Sequence, residues 1–200
     1  MFVENKEMYH FNNVEKRKDI WKVGNEIDNT KDYISDYWRN GLNFNGKILT
    51  NLGDEISFVG VIDSYLENEQ DKETYIKMLK TARNMLSNYS ALQREMILEA
   101  VRKDFYPDII SRKNAIYLCD NNQIEYWRDN LKRNSEIDLF KVEVTGELFK
   151  SSDTLLPSRA ESISKMYEQA KEYWTANLTD IDDVTCEYLF SGKIKVLEKM

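Results

Sequence analysis

The sequence predicts an α+β protein, with a largely helical N-terminal half around one early strand and a strand-rich C-terminal half. Three observations lead there. Apolar residues between about 53 and 103 recur at helical spacing. From about residue 114 short runs of strand formers and strict alternation take over. The chain closes on Glu187-Tyr188-Leu189-Phe190-Ser191-Gly192-Lys193-Ile194-Lys195-Val196-Leu197-Glu198-Lys199-Met200, which reads as a β-hairpin opened by an acidic residue, with Ser191-Gly192 at its turn.

In chain order, the first strand is expected around Met8 to Phe11. A charged stretch and Val23-Gly24-Asn25-Glu26-Ile27 follow. Asn29 and Thr30 are helix-cap types, and Tyr33, Ile34, Tyr37 and Trp38 recur behind them at helical spacing. Gly41, Asn43, Asn45 and Gly46 make a break. Tyr75, Leu79, Ala82, Leu86 and Tyr89 then alternate steps of four and three, one apolar stripe on an amphipathic helix, best explained as helical core. Ser90-Ala91-Leu92-Gln93 has the form of a capping box, Met96, Ile97, Ala100 and Val101 mark a second buried stripe, and Pro107 closes the region.

Ile116 to Leu118 reads as a short strand. Asp120-Asn121-Asn122-Gln123 caps a helix carrying Ile124, Trp127 and Leu131. Leu139 to Glu147 sets Phe140, Val142 and Val144 against Lys141, Glu143 and Thr145, a half-buried strand ended at Gly146. Pro157-Ser158-Arg159-Ala160-Glu161 is a further capping box, opening a helix with Ile163, Met166, Tyr167, Ala170 and Trp174 inward. The closing hairpin follows.

Two hundred residues suit one domain, 1–200, with a helical insertion over about 53–106. With 42% hydrophobic and 32% charged residues the composition is globular. No apolar run approaches the roughly 20 residues of a membrane span. The start lacks the basic-then-apolar order of a secretory signal. The two cysteines, Cys119 and Cys186, have no metal-ligand spacing and form no disulfide framework, so a cytoplasmic setting is expected, without membrane or metal. A net charge of −7 disfavours a general polyanion-binding surface. Arg102, Lys103, Arg112, Lys113, Arg128, Lys132 and Arg133 crowd the middle, but interleaved Asp104, Asp108, Asp120 and Asp129 make them a solvated face.

Three segments carry a resemblance. Met8-Tyr9-His10, followed by Val23-Gly24-Asn25-Glu26-Ile27, resembles the opening strand and helix of ADP-ribosyltransferases of the His-Tyr-Glu group. Asn114-Ala115-Ile116-Tyr117-Leu118-Cys119-Asp120, with Tyr126-Trp127 on the next helix, resembles that group's second motif. Asp183-Val184-Thr185-Cys186-Glu187-Tyr188-Leu189-Phe190 resembles its third. Val101-Arg102-Lys103-Asp104-Phe105-Tyr106-Pro107, Ser111-Arg112 and Leu156-Pro157-Ser158-Arg159 are similar to a bacterial and phage family of undescribed function in the same clan.

The resemblance implies a split antiparallel sheet and NAD as co-substrate, with His10, Tyr117 and Glu187 converging on one cleft. Breaking the nicotinamide–ribose bond puts positive charge on the ribose, and a carboxylate there, Glu187, would stabilise it. It would hold the 2′-hydroxyl and could orient the incoming nucleophile. His10, the only histidine, would hold a ribose hydroxyl. Tyr117 and Tyr126 would stack on nicotinamide. Tyr9 and Phe11 would line the cofactor beside His10, and Phe11 stands where many relatives have glycine. Ser111 and Arg112 would meet ribose or pyrophosphate. Thr185 stands where relatives that modify arginine carry a second carboxylate, which points to nucleic acid or a non-arginine side chain as acceptor.

The expected activity is thus mono-ADP-ribosyl transfer to a nucleic-acid or protein acceptor, in a toxin, phage-defence or phage-encoded protein. A toxin would bring an inhibitory, antitoxin-like partner. RNA 2′-phosphotransfer with NAD consumption, and a non-catalytic binding scaffold, are the alternatives. No Gly-rich phosphate loop, Gly-x-Ser-x-Gly elbow or His-Glu-x-x-His occurs.

Overall fold

The computed structural model describes residues 1–13, 19–30, 33–49, 53–68, 70–132 and 136–200. Arg133, one of the central basic residues, lies outside them. Two compact units emerge, one formed by Met1–Ser35 with Arg94–Met200, the other by Asp36–Gln93.

The first unit is built on an antiparallel sheet. Its strands are β1 (Phe2–Asn13), β2 (Glu26–Asp28), β5 (Ile116–Leu118), β6 (Ile137–Ser152) and β7 (Cys186–Lys199). The order is β1-β6-β7-β2, with β5 paired to the first part of β7. A single bridge, Tyr9 to Cys119, links β1 back to the end of β5. The sheet therefore curls on itself. Period-two alternation puts Met8, Phe140, Val142, Val144, Leu148, Phe190, Ile194 and Val196 on its inner face, where they form the main core with Trp21, Ile116 and Leu118. Fully burying side chains of this size contributes about 1.5–3 kcal/mol each.

The outer face is covered by helices. The end of α3 (Lys72–Phe105) and α5 (Ile163–Thr175) bring Leu98, Val101, Ala170, Tyr173 and Trp174 against Leu189. On α4 (Ile124–Lys132), Ile124 packs with Cys119 and Leu139. The expected capping box of Asp120 and Gln123 is present, on the 3-10 turn Asn121–Gln123 that leads directly into α4. The second unit holds α1 (Asp36–Asn43), the hairpin of β3 (Lys47–Leu49) and β4 (Glu55–Ser57), α2 (Phe58–Glu67) and the first part of α3. Phe44 meets Tyr89 edge-on there, with ring centroids 4.8 Å apart.

Several sequence expectations are corrected. The closing segment is not a hairpin but one 14-residue strand, β7. Gly192 is no turn and Gly146 no strand end, since they face each other in the middle of β7 and β6. Both have φ near +155°, at +156° and +153°. A Cβ on Gly146 would lie 2.7 Å from Gly192 Cα and strike Ser191 O, so the pair is a close approach of two backbones.

Asn29 caps no helix. It is buried, and its amide donates to Phe190 O (2.9 Å) and Asn114 O (3.1 Å) while accepting from Gly192 N–H (2.7 Å). The first helix begins only at Asp36 and runs through Gly41. Ser90 starts nothing either. Helix α3 passes through it, its hydroxyl donating back to Ser87 O. The true cap of α5 is Ser162, not Ser158; it accepts from Lys165 N–H. Ile163 and Leu131, expected inside, are exposed. So are Tyr75, Leu79, Leu86 and Tyr89 of the stripe assigned to helical core. The second stripe holds at Val101, which is buried, but is displaced before it: Glu95 and Leu98 are buried, whereas Met96 is exposed. Pro107 follows the end of α3 as expected, and Arg102 donates to Pro107 O and Ile109 O, both at 2.9 Å, closing that terminus.

Candidate active site

The strands carrying His10, Tyr117 and Glu187 are neighbours. Tyr117 lies opposite Leu189 in the β5–β7 ladder, so Glu187, two residues before Leu189, is its diagonal neighbour on the same outer face. On the other side of β5, Tyr9 and Cys119 exchange both backbone hydrogen bonds at 2.9 Å, and this bridge is isolated. His10 bridges the strands just beyond it: Nδ1–H donates to Tyr117 O at 2.9 Å. A carbonyl can only accept, so the proton sits on Nδ1 and, in the neutral ring, Nε2 is the acceptor. The imidazole stacks on Trp21 with centroids 3.8 Å apart.

The alternation of β1 corrects one expectation. His10 shares the inner face with Met8, whereas Tyr9 and Phe11 point outward and pack with Cys119, Ile124 and Leu139. The imidazole and the Glu187 carboxylate thus approach β5 from opposite faces of the sheet. They are joined through the Tyr117 main chain, not through one continuous side-chain cleft.

Glu187 is held in a buried charge network. It is only 6% exposed, so it is not the solvated strand-end residue its position suggests. Arg112 Nη1 and Tyr173 OH (2.6 Å) both donate to Oε1. No described group binds Oε2. Arg112 also donates through Nε to Glu95 Oε2 at 2.8 Å and through Nη1 to Tyr173 OH at 2.5 Å. Arg94 reaches Glu95 Oε1 at 3.2 Å. Burial opposes the Arg112 charge, but Glu187 and Glu95 outweigh it and hold the guanidinium well above its ordinary pKa. Burial likewise opposes ionisation of Glu95, yet Arg112 and Arg94 keep its carboxyl below the usual value. Burial, reinforced by Glu187 against the pull of Arg112, pushes the Tyr173 hydroxyl well up.

Ser111 and Arg112, expected as cofactor contacts, both have carboxylate partners here. Arg112 is committed to two carboxylates, its guanidinium 5.2 Å from the Tyr117 ring centre. Ser111 donates to Glu99 Oε2 at 2.8 Å, supporting the Glu99–Arg102 pair on α3. Tyr126, on α4, lies at the same end of β7 as Glu187, beside the Ser152–Cys186 pair. Its hydroxyl donates to Asp153 Oδ2 at 2.6 Å and is pushed up to about 12 by burial and by Asp153. Burial raises the Asp153 carboxyl, and Glu187 adds to the rise against the Tyr126 hydrogen bond. Next to it, Trp127 Nε1 donates to Cys186 O at 3.0 Å and fixes α4 against the start of β7.

Glu95, Tyr173 and Asp153 were not singled out from the sequence. Glu95 left a signal, a carboxylate three residues before Leu98 on an apolar helix face. Tyr173 and Asp153 left none, because an aromatic beside Trp174 reads as core and an acid after a strand reads as solvated. Burial and Asp120 push the Cys119 thiol up to about 12, which removes it as a nucleophile. Among the described residues no group of three or more His, Cys, Asp or Glu could hold a metal ion, and no helix is long and apolar enough to cross a membrane.

Residues 8–200 match the family described as a protein of unknown function (DUF2441), and the chain belongs to that family. No curated protein matches it.

Proposed function

We propose that this chain is a mono-ADP-ribosyltransferase that cleaves NAD at the nicotinamide–ribose bond and passes ADP-ribose to a nucleic-acid or non-arginine protein acceptor. One observation carries the reading: Glu187 has one oxygen fixed by Arg112 and Tyr173 and no described partner on the other, diagonal to Tyr117, whose carbonyl binds His10. A carboxylate so fixed needs no reorganisation to stabilise a ribose cation. The C1′–N bond would break with its electron pair leaving on nicotinamide. The acceptor's nucleophilic atom would then bond to C1′, its proton passing to Oε2.

The residues present fit NAD in part. Tyr117 and Tyr126 are half-buried aromatics on the elements beside the carboxylate. They would flank a nicotinamide ring, whereas Ser111 and Arg112 are turned to Glu99, Glu95 and Glu187. A non-catalytic binding scaffold is the second reading, favoured by the low exposure of Glu187.

Incubation with labelled NAD and candidate RNA and protein acceptors tests the proposal. Wild type should transfer label, and Glu187→Gln, which keeps a hydrogen-bonding oxygen for Arg112, should lose at least about a hundredfold in rate. Equal labelling by both proteins would remove Glu187 from the reaction. Absence of both heat of NAD binding and turnover would end the transferase reading and leave the scaffold.

A further inference from the structure

We propose that Glu95 is a positioning residue for Glu187: by holding the fork of the Arg112 guanidinium, it keeps Arg112 off the second oxygen of Glu187. Its part in catalysis rests on Glu187 being the carboxylate that faces the ribose. Helix α3 buries Glu95, Leu98 and Val101, and Glu95 is charged where the other two are apolar. It is 1% exposed, so its charge needs a fixed partner inside the protein. That partner is the side edge of Arg112. Nε donates to Oε2 of Glu95 at 2.8 Å and Nη2 to Oε1 at 3.4 Å. Arg94 donates to the same Oε1 at 3.2 Å.

Counting protons fixes what is left for Glu187. Nη1 carries two, of which one goes to the Tyr173 hydroxyl at 2.5 Å and one to Oε1 of Glu187. A carboxylate only accepts, so the single Tyr173 proton goes to that same Oε1, at 2.6 Å. Arg112 therefore gives Glu187 one hydrogen bond, end-on. An arginine alone with a carboxylate tends to take both oxygens through two parallel bonds. Without Glu95, the remaining carboxylate on Arg112 is Glu187, and the freed Nε–Nη2 edge would be left buried and unpaired. Turning that edge onto Glu187 would occupy Oε2 and spend the negative charge that a ribose cation needs.

Two measurements on the full chain test this. In labelled-NAD transfer, Glu95→Met, which removes both acceptor oxygens at similar length, should lower kcat about tenfold to a hundredfold. KM for NAD should stay within about twofold, because what is lost acts on charge that develops in the transition state. Leu98→Ala, on the same buried face of α3, controls for lost packing and should lower the thermal midpoint with kcat unchanged. The second measurement needs no turnover: the Nε–H signal of Arg112 in arginine side-chain NMR spectra, assigned by its loss in Arg112→Lys. In the parent chain Glu187→Gln should leave that signal in place, because Nε is bonded to Glu95. In the Glu95→Met chain Glu187→Gln should move it. Glu95→Gln, which keeps the shape, carries both tests should Glu95→Met not fold. A wild type that transfers no label ends the transferase reading but not the hold on Arg112, which the Nε signal then decides. Wild-type kcat in Glu95→Met, an equal loss of kcat in Leu98→Ala, or an Nε signal blind to Glu187 in both chains overturns the proposal.

Discussion

Arg112 holds two carboxylates on separate elements, Glu95 on α3 and Glu187 on β7, in a site where all three are nearly excluded from water. Removing it leaves two buried anions facing each other. Arg112→Ala is therefore expected to cost about 3–5 kcal/mol, read as a lower denaturant midpoint. Arg112→Lys should recover only part, since one ammonium cannot span both acids. The same cluster sets a pH dependence. Glu95 is depressed in the folded chain relative to its ordinary value of 4.5, so the unfolded chain binds its proton more readily. Stability from this group is present above that value and is lost as pH falls through the lower folded value. Unfolding free energy measured from pH 6 downward should fall below about pH 4.5, and Glu95→Gln should flatten that part of the slope. An unchanged slope would mean that Glu95 is not held as an anion.

At the scale of elements, the decisive feature is the close pairing of β6 and β7 at Gly146 and Gly192. Two long strands stay paired through the sheet's curl because neither residue has a Cβ where the backbones come closest. Gly192→Ala would add a Cβ 2.7 Å from Gly146 Cα at a φ of +153°. A loss of about 1–3 kcal/mol is expected, seen as a lower thermal midpoint. A neutral result would show that the strands can part there freely. The helices were more legible than this close pairing. Apolar period and Pro107 marked α3, and Asp120 with Gln123 marked α4, because caps and stripes are local. Ser158 and Ser90 misled for the same reason: the capping-box pattern tests only neighbouring residues, and tertiary contacts chose Ser162 and an unbroken α3 instead.

For the whole molecule, β7 is the organising strand. It pairs with β6 along nearly its full length and, on its other edge, with β5 and then β2. Chain ending before Glu187 would expose three strand edges and strip the core of Phe190, Ile194 and Val196. Such a truncation is expected to be unfolded, with no cooperative thermal transition and little dispersion in its proton spectrum. A cooperative transition in that fragment would show that the sheet closes without its central member.

The local pattern of the sequence determined the α+β class, the strand at Met8–Phe11, the strand at Ile116–Leu118 and the strand character of the last residues. Arg112 and Glu187 were named through the resemblance rather than the local pattern, and the structure pairs them as ions. Only the tertiary structure decided that the closing segment is one strand, that His10 and Glu187 approach β5 from opposite faces, and that Glu95 and Tyr173 complete the carboxylate's setting. The physical reason is range: propensity, caps and alternation act over a few residues, whereas strand register and the pairing of buried charges join positions up to 75 and more residues apart.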